Sequence, residues 1–113
     1  GHTVGHAIEH ASGYADLHGE AVSIGMVVEA RLGEVLGITE RGTAERIRAG
    51  LEAQGLPVES PWLAKPDALL AAMARDKKAA RGELAFSLLE RIGACKLVRG
   101  VDPAAVRSAL RPT

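Results

Sequence analysis

The longest regular pattern in the chain runs from about Gly19 to Leu36. Its first half, AVSIGMVVEA, is apolar nearly all round, which predicts a helix buried on every side. In its second half Val28, Leu32 and Val35-Leu36 keep one apolar stripe, which assigns Glu29, Arg31 and Glu34 to water. Gly37 is placed to end this helix, and Gly25 and Gly33 within it predict close contacts between helices. Residues 2–11 read as a shorter helix closed by Ser12-Gly13. Further on, Thr39 is the expected cap of a third helix with Ala44, Ile47 and Leu51 inward, ended by Gly55 and Pro57. Residues 57–65 form a connector in which Trp62 packs as an anchor. Pro66 at a first helical position opens a fourth helix that buries Leu69, Leu70 and Met73.

A turn is predicted at residues 79–82. Beyond it Leu84, Phe86 and Leu88 alternate with Ala85, Ser87 and Leu89, the period of a strand. Gly93 breaks that strand, and Cys95 to Val98 supply its partner. Asp102 caps a last short helix, with Pro103 in its first turn and Val101 stapled onto Val106. The predicted fold is mainly α with one small β-hairpin, a single domain over residues 1–113.

Composition narrows the function classes. The chain is 47% apolar but only 3% aromatic, so its core must be built from Ala, Leu, Val and Ile. A formal net charge of +0 argues against a nucleic-acid or membrane-surface protein. The single cysteine, Cys95, rules out an internal disulfide framework, suits a reducing compartment and reads as a small core hydrophobe. No run of eighteen apolar residues and no signal segment is present, and the expected location is cytoplasmic. The chain starts inside its own most informative motif, which suggests a fragment of a longer protein.

That motif is GHTVGHAIEHASGYADLHGE. It holds all four histidines of the chain. His2, His6 and His10 lie four apart and stack on one helical face, and a turn at Ser12-Gly13 can bring His18 back towards them. Neutral imidazole is the commonest ligand of zinc and its neighbours. Two exposed histidines on a helix explain a lone His-x3-His pair better than a metal site does. The third imidazole beyond a turn, followed by Gly-Glu, is what favours a metal site. His10 lies about 12 Å from His2 by helix rise, too far to share an ion, and is read as structural or exposed. Glu20 is either a carboxylate orienting an imidazole or a plain surface acid at a helix start. Arg75-Asp76-Lys77-Lys78 reads either as a clamp for phosphate or carboxylate or as a solvated helix end.

Taken in order, GHTVGHAIE, LHGEAVSIGM and RDKK, followed by a glycine and an apolar strand ending in IG, resemble 3-dehydroquinate synthase over nearly the whole chain. The resemblance is to the helical C-terminal domain of that enzyme. It implies that His2 and His18 are two of three metal ligands, for zinc or cobalt, the third being a Glu upstream that this chain lacks. It implies that His6 contacts substrate and relays protons, and that Lys77 binds substrate at its phosphate end. NAD would be held by an N-terminal domain absent from the chain. The implied reaction converts a phosphorylated seven-carbon sugar acid (DAHP) into 3-dehydroquinate with loss of phosphate, in the shikimate pathway. The family includes both monomers and homodimers. Two other readings stand beside it: a related sugar-phosphate cyclase of the 2-deoxy-scyllo-inosose synthase kind, and a non-catalytic helical binding module. Iron-type alcohol dehydrogenases fit the LHGEAV and DKK contexts less well.

Overall fold

The computed structural model describes residues 2–13, 17–75 and 84–111. Five helices follow in order: α1 (His2–Ala11), α2 (His18–Val35), α3 (Thr43–Ala53), α4 (Pro66–Ala74) and α5 (Pro103–Leu110). A 3-10 turn at Pro61–Ala64 precedes α4, and strands β1 (Phe86–Arg91) and β2 (Ala94–Val98) lie between α4 and α5. The mainly helical plan with one antiparallel hairpin is the one predicted. No helix among the described residues is long and apolar enough to cross a membrane.

Helix α2 is the axis of the fold. Helices α1, α3 and α5 and strand β1 all pack on it, and α4 packs on α1. Its residues Ile24, Val28 and Leu32 join Val4 and Ile8 of α1, Leu69 and Met73 of α4, Phe86 and Leu88 of β1, and Val106 and Leu110 of α5. This is the aliphatic core that a chain poor in aromatics must build. The all-round burial predicted for the first half of α2 holds, except that Met26 is exposed. Strand β1 shows its period of two directly, with Phe86 and Leu88 buried and Ser87 exposed. A two-stranded hairpin is marginal alone in water, and these two side chains anchor it to α2.

Two carboxylates assigned to water are not there. Glu29 is buried at 4% exposure, and its carboxylate accepts the Val4 backbone N–H at 3.0 Å. The first turn of a helix has N–H groups with no partner inside the helix. Glu29, reaching from α2, takes one of those of α1. Glu34 does the same for α3, accepting from Gly42 N at 3.1 Å and Ala44 N at 2.8 Å. Thr39 is therefore not the cap of α3. Its hydroxyl donates instead to the Leu89 carbonyl of β1. Val35 also leaves the predicted stripe and is exposed, because α2 ends there and little covers it. Cys95 is exposed too, since β2 is the outer strand of a two-stranded sheet. Trp62 is half-buried against the core, with the Lys65 ammonium 4.7 Å from the centre of its ring. Asp102 caps α5 as expected, accepting from Ala104 N at 2.9 Å.

Two glycines permit close approaches. At Gly5 a Cβ would stand 3.1 Å from Val22 Cα and 3.2 Å from Ala21 O, so the backbones of α1 and α2 are nearly in contact. At Gly33 a Cβ would overlap the Thr39 hydroxyl and lie 2.8 Å from Thr39 Cβ. The close neighbour of Gly33 is thus a loop, not another helix. Gly33→Ala should displace Thr39 and break its bond to Leu89. The gain in helix propensity, up to about 1 kcal/mol, offsets only part of an overpacking cost of about 1–3 kcal/mol. A lower melting temperature, partly restored by Thr39→Gly, is the expected result of thermal denaturation.

Candidate metal and substrate site

The histidine cluster is built by the crossing of α1 and α2. His2 and His6 stand one turn apart on α1, and His18 is the first residue of α2. Their ring centroids are 5.4 Å apart for His2–His6, 5.6 Å for His2–His18 and 6.0 Å for His6–His18. All three residues are exposed. The turn after Ala11 brings His18 back to the α1 face, as the spacing predicts.

These separations can be compared with what an ion requires. Zinc sits about 2 Å from a ligating nitrogen in a tetrahedral site, which places the centroids of two ligating rings roughly 5 Å apart. The observed distances lie slightly above that value. Imidazole nitrogens with a carboxylate beside them are a donor set that suits zinc or cobalt.

One member of the site was not singled out from the sequence. Glu9 Oε1 lies 2.8 Å from His18 Nδ1, and the Glu9 side chain is only 12% exposed. Ligand atoms of His6, Glu9 and His18 all lie within 4.8 Å of one another. Glu9 stands three residues after His6, a spacing that puts both on one helical face, and that spacing was the signal available. Glu20, two residues after His18, is exposed and lines a shallow depression with Pro57 and Ser60 instead. Residues two apart on a helix point about 200° apart, so Glu20 faces away from the side that His18 presents to α1.

His10 is exposed and lies away from this trio, with Arg75 Nη1 3.5 Å from its Nε2. The rest of the basic stretch, including Lys77, lies outside the described residues.

Comparison with known proteins gives a consistent picture. Residues 1–79 match the family model described as 3-dehydroquinate synthase C-terminal. The chain is 42% identical over 121 residues to the 3-dehydroquinate synthase of Bradyrhizobium diazoefficiens, covering 98% of this chain and 32% of that protein. It is 46% identical over 112 residues to the enzyme of that name from Acidithiobacillus ferrooxidans, covering 98% and 30%. It thus spans about a third of the length of these curated relatives. Among solved structures, a 2-deoxy-scyllo-inosose synthase complexed with carbaglucose-6-phosphate, NAD+ and Co2+ aligns with a TM-score of 0.75. That alignment has 25% identity and covers 97% of this chain and 33% of that one.

Proposed function

The chain belongs to the 3-dehydroquinate synthase family, and from this we propose that it is the metal- and substrate-binding C-terminal part of an enzyme converting DAHP to 3-dehydroquinate with release of phosphate. The observation that carries the proposal is the meeting of His2, His6 and His18 within 6.0 Å at the α1–α2 crossing.

In this reading His2 and His18 hold a zinc or cobalt ion, completed by a carboxylate from outside the chain. The ion, once bound, supplies Lewis acidity towards substrate hydroxyls. NAD, held by a further domain, supplies the redox chemistry. His6 lies beside the two ligands, and a nitrogen of its imidazole exchanges a proton with bound substrate. Lys77 offers a point charge to the phosphate or carboxylate end. Arg75, which opens the basic stretch at the end of α4, has its Nη1 3.5 Å from His10 Nε2 on α1. A cytoplasmic location fits such an enzyme, and a second copy of the chain is a further partner that the family suggests.

The relative solved with a carbocyclic sugar phosphate, NAD+ and Co2+ supports this set of ligands, and it also keeps a second reading in view. A cyclase acting on another sugar phosphate would use the same histidines, and the choice between the two rests on substrate contacts outside this chain.

The test is a chimera. This chain should replace the corresponding third of the Bradyrhizobium diazoefficiens enzyme with release of phosphate from DAHP retained. The 113-residue chain by itself, given DAHP, NAD and Co2+, should release none. A folded chimera without phosphate release, or appreciable turnover by the chain alone, would contradict the proposal.

A further inference from the structure

We infer that Glu9 is a positioning residue for His18: it accepts the Nδ1–H of that imidazole and thereby presents Nε2 to the ion. The inference rests on the metal reading above for what Nε2 is presented to. The Glu9–His18 contact stands by itself.

The geometry is direct. Glu9 Oε1 is 2.8 Å from His18 Nδ1, the length of a charge-assisted hydrogen bond. A carboxylate accepts and does not donate, so the shared proton resides on Nδ1. The other ring nitrogen, Nε2, is left as the lone-pair donor. His18 needs such a restraint more than its neighbours do. It opens its helix with a side chain 57% exposed. Glu9 is suited to supply it, because its carboxylate is 12% exposed and held on the rigid α1 face one turn beyond His6.

A second role for Glu9 competes with this one. Its oxygen lies within ligand distance of the cluster and could itself bind the ion. The oxygen near His18 is engaged with a ring proton, which favours positioning over ligation. The two roles differ in the number of protein ligands around the ion.

The decisive measurement is nitrogen NMR of the imidazoles in the metal-free chain at alkaline pH. His18 should carry its proton on Nδ1. Glu9→Ala should shift it to Nε2, with the His2 and His6 signals unmoved. Glu9→Gln keeps an acceptor oxygen of the same reach and should keep the Nδ1–H form. With Co2+ added, Glu9→Ala should weaken binding about 10–100-fold, the usual loss when such a partner is removed. At saturation its d–d absorption should match that of the parent chain, because the ligands are unchanged. A parent His18 protonated on Nε2, or a tautomer indifferent to Glu9→Ala, overturns the inference. So does a d–d spectrum altered by both Glu9 variants, which would make Glu9 a ligand. A parent chain with no affinity for Co2+ counts against the metal reading alone, and the tautomer then decides the role of Glu9.

Discussion

A chain carrying both His2→Ala and His18→Ala should take up neither zinc nor cobalt in a calorimetric titration, while the parent binds one equivalent weakly. The weakness has a stated cause, since two imidazoles fill only half of a tetrahedral sphere and water must complete it. The loss has one too, for the double variant leaves His6 as the one imidazole of the trio, with Glu9 beside it, and one imidazole with a carboxylate is a poor anchor. Both replaced residues are exposed, so the fold should be unaffected, with a change within about 0.5 kcal/mol. Circular dichroism checks this. In the chimera the same pair should lower phosphate release by more than about 100-fold, because removal of an outer partner alone costs about 10–100-fold. His6→Ala separates the roles. It should leave metal affinity within a few-fold and lower turnover. Abolition of metal binding by His6→Ala would move the ion to a different set of nitrogens.

Phe86→Ala should be the most damaging single change to the fold. Phe86 is the lone phenylalanine of the chain, 1% exposed, and sits among the core residues that face α2. Deleting such a ring costs about 3–5 kcal/mol, through lost burial and the cavity left behind. A domain of this size has about 5–15 kcal/mol in total. The melting temperature should fall by about 10 °C or more. Leu97→Ala, at a residue 56% exposed on the outer strand, should change it little. Equal effects from the two would mean that β1 is not held by its inward face.

The contrast between these sites shows what a reader of the sequence could and could not see. Elements announced by periodicity were legible: α1, the long α2, the alternating strand, and α5 with its Asp102-Pro103 start. The histidine trio was legible for the same reason, since spacing by four names a helical face and a turn names a return. Interactions between elements were not. Glu34 caps a helix eight to ten residues further on, and Glu29 caps one that begins twenty-seven residues earlier. Local pattern places both acids in water, because nothing near them in sequence shows the N–H groups they serve. Thr39 failed as a cap for the same reason. Its hydroxyl serves a strand carbonyl fifty residues away.

The near-contact at Gly5 has a consequence for chemistry. Side chains in a core can exchange rotamers, but at Gly5 there is no room even for a methyl group between the two backbones. Gly5 sits next to His6, and Val22 lies one turn along from His18. The jaws that carry the imidazoles are therefore set on a hard stop. Any side chain larger than hydrogen at position 5 would push apart the two helices that bear His6 and His18, and the imidazoles with them.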